Sequence, residues 1–195
     1  MKETSKATER RKEEGGIWNS VFVGKGIDVG SGDDPLVWDG TEIKTFDIED
    51  GDANVIADYF EPESFDFLHA SQCLEHMHNP YEALNNWAKV VKVGGHLVVT
   101  IPDFVLYEKL NFPSIWNPDH KSTWSSFVKG SWAPYHVYIP QLVERLEKSW
   151  GKVKMARLVD RNYDYYLGTH IDQTFDFEDK VECFQELVIQ KVKSI

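Results

Sequence analysis

The sequence predicts an α/β fold with a mostly parallel sheet, and three stretches carry that expectation. "GGHLVVTIPD" (94–103) is an apolar run of strand length, as a strand buried on both faces requires. "NPYEALNNWAKVVKVGG" (79–95), just before it, sets Tyr81, Leu84, Trp87, Ala88 and Val91 at helical spacing. "SFDFLHAS" (64–71) places a further apolar and aromatic run ahead of that helix. Strand, helix and strand in this order mean a right-handed crossover between parallel strands.

The remaining elements follow in chain order. The opening "KATERRKEE" mixes opposite charges three and four residues apart, which predicts a solvated or frayed lead-in helix within residues 1–20. "KGIDVG" (25–30) is a short strand ending in glycine, and "EIKTFDI" (42–48) alternates as a half-buried strand does. Only about a dozen residues separate Gly30 from that second strand, too few for a helix and its loops, so the early crossover is compressed. The helix at 79–95 has Asn79 as N-cap, Pro80 in its first turn and Gly94-Gly95 as its expected stop. "IPQLVERLEKSWG" (139–151) is a second amphipathic helix, and "KVKMARLV" (152–159) with "KVECFQELVIQKV" (180–192) predicts an antiparallel pair closing one edge. Residues 21–195 read as one domain with an aromatic-rich insertion at 104–138.

Composition narrows the function classes. The chain has 195 residues, 42% hydrophobic and 27% charged, ordinary values for a globular protein with one core. A net charge of −11 repels polyanions, so nucleic acid is a poor partner. Cys73 and Cys183 stand far apart without zinc spacing, which suggests neither a disulfide framework nor a structural metal and fits a cytoplasmic setting. No apolar window is long enough for a membrane span, and the charged N-terminus is unlike a signal peptide.

The stretch "GIDVGSGDDPLVWDG" (26–40) raises the functional question. Its glycine turn lies at the carboxyl end of a strand, where open α/β sheets hold ligands. A dinucleotide fingerprint requires a third glycine where this chain has Pro35, and Asp33 and Asp34 would oppose a pyrophosphate, which disfavours an NAD-dependent oxidoreductase. A ligand with an ammonium group and ribose hydroxyls suits carboxylates better. Asp33 capping a turn before Pro35 is the blander alternative.

At these residues the chain resembles the class I S-adenosylmethionine-dependent methyltransferases, in which a strand ends in an acid-x-Gly-x-Gly turn. Asp47 at the end of the second strand, "EDGDAN" (49–54) and the run from Glu63 to Asp103 extend the likeness. "GDANV", "CLEHMHNPYEALNNW" and "YEKLNFPSIWNPDHKSTWS" are similar to a bacterial subgroup of small methyltransferases associated with glycan and lipopolysaccharide biosynthesis. The resemblance implies a Rossmann-like sheet with S-adenosylmethionine as cofactor. It implies that Asp28 orients the turn and that Gly30, Ser31 and Gly32 bring backbone to the cofactor. Asp47 would accept from the ribose hydroxyls and Asp52, beside the Ala53 amide, from the adenine amino group, with Asp50 a competing register. Ser71 and Gln72 would edge the methionine moiety, although the subgroup more often carries His at the latter position.

Methyl transfer from a sulfonium needs alignment and exclusion of water, and an oxygen nucleophile also calls for a base. His120 in "NPDHKSTW" is the first candidate, followed by Asp103 at the end of a strand and His76 at the start of a helix. A His76/His78 metal site lacks a third donor in the sequence, so no metal is expected. The aromatic insertion suits a sugar or another small amphipathic acceptor, or equally a satellite core or a homodimer contact. The expected function is an S-adenosylmethionine-dependent methyltransferase acting at oxygen; the competing class is a cofactor-binding scaffold without turnover.

Overall fold

A six-stranded mixed sheet organises the chain in the computed structural model, which describes residues 2–175 and 180–195. In chain order the elements are α1 (Glu3–Glu14), α2 (Trp18–Val21), β1 (Gly24–Val29), β2 (Thr41–Phe46), β3 (Phe65–Ser71), α3 (Pro80–Val90), β4 (Val91–Pro102), β5 (Ser122–Ser125), β6 (Tyr135–Tyr138), α4 (Ile139–Lys148), β7 (Gly151–Val159) and β8 (Phe184–Lys191). Short 3-10 turns stand at Ala53–Asp58, Leu74–His76 and Gln173–Phe175. The sheet order is β2-β1-β3-β4-β8-β7, with β5 and β6 forming a separate parallel pair. Strands β1 to β4 pair in parallel, and β8 runs antiparallel to both β4 and β7, as expected for a Rossmann-like class I methyltransferase sheet.

Alternation along the strands splits the core into two layers. Leu68, Leu97, Val99, Leu187 and Ile189 face α3 and α4, where Trp87, Leu142 and Leu146 meet them. Phe67, Val98 and Val188 face the other way and pack under Trp18, Phe22, Leu36 and Trp38. Each layer removes large aromatic and branched side chains from water, the main favourable contribution to folding.

The early crossover is compressed as expected: no helix stands between Gly30 and Thr41. The N-terminal helix covers that face instead, and here the expectation of a solvated lead-in is corrected. Lys6, Arg10 and Arg11 are buried, Arg11 fully so. Arg10 donates to Glu182 and Glu186, Arg11 Nε donates to Glu186 Oε1 at 2.9 Å, and Arg157 joins them at Glu186. Opposite charges at helical spacing were read as intrahelical partners, but the acids that matter come from β8 and its approach.

The Gly94-Gly95 pair also has a different task from the one expected. The helix ends at Val90 and strand β4 starts at the next residue, with the glycines inside it. A Cβ on Gly95 would stand 2.4 Å from the Asp66 carbonyl oxygen, so glycine permits β4 to close on β3 where their register shifts. The cap at the other end is as expected: the Asn79 carboxamide oxygen accepts from the Tyr81 and Glu82 amides ahead of Pro80.

Candidate functional site

A cleft of about 610 Å³ opens at the carboxyl ends of β1, β2 and β3. Gly30, Asp47, Asp52, Ala53 and Gln72 line it, bringing together five of the residues singled out for the cofactor. Gly30 follows β1 at φ 70°, and a Cβ there would stand 2.6 Å from Cys73 Sγ. The glycine is required both by its left-handed conformation and by the chain packed behind it. Its amide donates to the Phe46 carbonyl at 2.8 Å, which ties the turn to the end of β2.

Asp47 is held from both sides. Oδ2 accepts from the Gly32 amide and Oδ1 from the Ile48 amide, leaving further lone pairs on each oxygen for a ligand. Asp50 spends its carboxylate on the Asp47 amide, so it caps its own turn, and Asp52 is the acid that lines the cleft. Two hydrogen bonds from Asn54, side chain and backbone, hold the Asp52 carboxyl below its ordinary range.

Asp28, Ser31 and Ser71 are buried behind the lining, and Gly32 is exposed at its edge, held by the Asp47 carboxylate. Asp28 is buried, with Oδ2 accepting from the Leu36 amide at 2.6 Å and Oδ1 facing His69 Nδ1 at 2.6 Å. The Ser31 carbonyl accepts from the Asp34 amide, and Ser71 Oγ accepts from Thr100 Oγ1. Asp33 and Asp34, read from sequence as suited to a cationic ligand, serve the N-terminal helix. Asp33 pairs with Lys2, and Asp34 accepts from the Ser5 amide and hydroxyl. Asp34 thereby satisfies a first-turn N–H, and both acids lie toward the positive end of the helix dipole.

A second cavity, about 160 Å³, adjoins the cleft, and Gln72 and His76 line both. Its wall includes Glu75, Tyr107, Asn117 and His120, with Glu3 of the N-terminal helix. His120 and His76 meet edge to face with ring centroids 4.8 Å apart. His120 Nδ1 lies 2.6 Å from Glu108 Oε1, and His76 Nδ1 lies 2.9 Å from Asp119 Oδ2. Burial alone would lower the His120 pKa, but the carboxylates of Glu108 and Glu75 outweigh it and raise it. Burial pushes Glu75 up. Asp103 lies outside both linings: Oδ1 accepts from the Val105 and Leu106 amides, and Oδ2 from the Gln185 carboxamide.

Within the insertion, Tyr107 reaches the cavity, Trp124 joins the main core, and Phe127 and Trp132 are exposed. Sequence reasoning missed Glu3, Glu75 and Glu108 as parts of this region. Glu75 was visible beside His76, but nothing local marks it as buried, and the pairing of Glu108 with His120 exists only once β5 has folded against the end of β4. Ile48 was also missed. It lines the cleft with 86% of its surface exposed, an apolar face available to a flat ring.

These residues fit S-adenosylmethionine: fixed carboxylates for hydroxyl and amino groups, an apolar face, and a glycine backbone edge in a cleft of ligand size. Residues 27–99 match the family model described as a methyltransferase domain. A search of curated proteins found no match. Among solved structures, a SAM-dependent methyltransferase from Archaeoglobus fulgidus is similar at 15% identity, covering 97% of this chain and 94% of that one, with a TM-score of 0.56. The 16S rRNA (adenine(1408)-N(1))-methyltransferase from Catenulisporales acidiphilia is similar at 12% identity, covering 88% and 89%, with a TM-score of 0.54. A SAM-dependent methyltransferase from Methanosarcina mazei is similar at 14% identity, covering 90% and 97%, with a TM-score of 0.51. At these identities the likeness establishes the fold. The methyltransferase-domain match, over residues 27–99, lies on that fold and spans the strands β1 to β4 whose carboxyl ends carry the cleft.

Proposed function

We propose that this chain is an S-adenosylmethionine-dependent methyltransferase that acts at an oxygen of a small-molecule or sugar acceptor held in the 160 Å³ cavity. The observation that carries the reading is the shared wall: Gln72 and His76 line both cleft and cavity, so a donor in one and an acceptor in the other meet there. S-adenosylmethionine, when bound, supplies an electrophilic sulfonium methyl. Asp47 accepts from the ribose hydroxyls, Asp52 with the Ala53 amide holds the adenine edge, and Gln72 edges the methionine end. Asp28, Gly30, Ser31, Gly32 and Ser71 position the turn and strand ends that carry these groups.

On the acceptor side, His120 is the group that polarises the hydroxyl, and Tyr107 offers an apolar ring face with a polar tip. The small cavity and the net charge of −11 both favour a small acceptor over a nucleic acid. The likeness of "CLEHMHNPYEALNNW" to methyltransferases of glycan and lipopolysaccharide biosynthesis supports a sugar, and a cytoplasmic setting goes with it. Phe127 and Trp132, both exposed, supply apolar surface for a homodimer.

The test is a split between two variants assayed against a panel of hydroxylated sugars. Asp47→Ala should weaken cofactor binding in calorimetry by about 10- to 100-fold, since losing a charged hydrogen-bond partner costs about 1.5–3 kcal/mol. His120→Ala should lower turnover by about 10² or more at near-constant cofactor affinity. Cofactor affinity unchanged in the first variant removes Asp47 from the site. Turnover unchanged in the second removes His120 from the chemistry.

A further inference from the structure

The two histidines of the cavity are oriented in the same way. His120 turns Nδ1 to Glu108 Oε1 and His76 turns Nδ1 to Asp119 Oδ2. A carboxylate accepts, so in the neutral ring each Nδ1 carries the hydrogen and each Nε2 presents a bare lone pair. Both Nε2 atoms face the same oxygen: His120 Nε2 is 3.9 Å and His76 Nε2 4.0 Å from Glu75 Oε1. Neither separation is a hydrogen bond. Glu75 is 1% exposed, and neither of its carboxylate oxygens has a hydrogen-bond partner among the described residues. With Glu75 ionised and both rings neutral, three acceptors converge on one point with no donor between them.

We propose that Glu75, His76 and His120 form a binding site for a divalent first-row transition-metal ion of the zinc type. One ligand atom from each residue can be chosen so that all lie within 4.8 Å of one another. Metal bonds of about 2.1 Å at tetrahedral angles put ligands about 3.4 Å apart, so an ion would draw the Glu75 oxygen and the two nitrogens inward by about half an ångström. Two imidazoles and a single carboxylate select a borderline ion over magnesium or calcium, which require oxygen cages. Glu108 and Asp119 complete the pattern, because a carboxylate on the remote N–H of a ligating histidine fixes its tautomer and raises its basicity.

Three protein donors leave an open position facing the cavity beside Tyr107 and Gln72, the hallmark of a catalytic rather than a structural ion. An acceptor oxygen bound there would be polarised by the ion, which would replace the direct contact of His120 with the hydroxyl because a ligated Nε2 has no lone pair left; that part rests on the methyl-transfer reading given under Proposed function. The binding itself does not. The sequence argued against a metal because His76 and His78 had no third donor. The fold turns His78 into the cofactor cleft and brings His120 and Glu75 to His76 in its place.

The experiment uses the full chain stripped with chelator and titrated with Zn²⁺ by calorimetry and with Co²⁺ by visible absorption, without acceptor or cofactor. One ion per chain is expected, with the ligand-field bands of nitrogen- and oxygen-bound Co²⁺. Glu75→Gln and His120→Ala should weaken binding by at least 10²-fold. Asp119→Asn, at an exposed position outside the ligand set, should weaken it about 10- to 100-fold with an unchanged circular dichroism spectrum. Absence of stoichiometric uptake, or uptake with the same affinity in Glu75→Gln and Asp119→Asn, overturns the site even where His120→Ala fails to fold. A separate titration with S-adenosylhomocysteine keeps the two questions apart. A chain that takes up the ion but not that ligand counts against the methyl-transfer reading and leaves the ion site standing.

Discussion

His69 Nδ1 stands 2.6 Å from Asp28 Oδ1, and His69 Nε2 receives Arg11 Nη1 at 3.1 Å, so the acid under the glycine turn is wired to the N-terminal helix. Arg11 can only donate, which makes Nε2 the acceptor and Nδ1–H the donor to Asp28. The remaining Asp28 oxygen holds the Leu36 amide. Turn, sheet and helix α1 are therefore one connected polar network, buried between the layers.

Asp28→Asn keeps the shape of the side chain but sets an amide where a carboxylate served two donors. It should lower unfolding stability in urea by about 1.5–3 kcal/mol, the scale of hydrogen bonds to a charged group. Cofactor affinity per folded molecule should fall as well, because the Leu36 amide anchors the chain that returns from the turn. Wild-type stability in this variant would mean that the network does not hold the turn.

Gly30→Ala should be among the most damaging small substitutions in the chain. The added methyl would meet Cys73 Sγ at 2.6 Å and Cβ at 2.7 Å, in a backbone conformation of φ 70° that alanine disfavours. A loss of at least about 2 kcal/mol is expected, from overpacking together with strain. Gly32→Ala provides the control: its Cβ would meet nothing within 4 Å, leaving only the cost of φ 52°. Equal losses in the two variants would show that the contact with Cys73 is not what requires glycine.

Acid should loosen the N-terminal helix through Glu186. Burial works to raise this carboxyl, but the guanidiniums of Arg11, Arg10 and Arg157 outweigh it and hold the pKa at about 2, against an ordinary 4.5. A depressed folded-state pKa stabilises above the ordinary value and loses that contribution as pH falls through the folded one. The window is therefore pH 4.5 down to about 2, and it is worth on the order of 3 kcal/mol. Glu182, raised first by its burial, acts in the opposite sense but above pH 4.5, before this window opens. Urea unfolding at successive pH values should show a shallower decline in Glu186→Gln than in wild type across that window. An identical slope in both would remove Glu186 from the acid response.

How legible each feature was depends on the range of the interaction that makes it. Periodicity and capping placed β1 to β4, α3, α4 and the β7–β8 pair within a few residues, because an apolar face and an Asn-Pro helix start are written within one turn or one strand. Asp47, Asp52 and the Gly30 turn were legible as well, since a strand end and its following loop deliver them to the sheet edge without help from elsewhere. Tertiary structure alone decided the use of "KATERRKEE", whose arginines pair with Glu182 and Glu186 at the far end of the chain. It alone decided that Asp33 and Asp34 belong to helix α1, and that Gly95 admits a neighbouring strand rather than ending a helix. The cluster of Glu75, His76 and His120 is of the same kind. Charge and hydrogen-bonding capacity are properties of a residue and can be read one at a time. Which partner takes them up depends on what the folded core brings within about 3 Å, and a buried carboxylate looks no different in sequence from a solvated one.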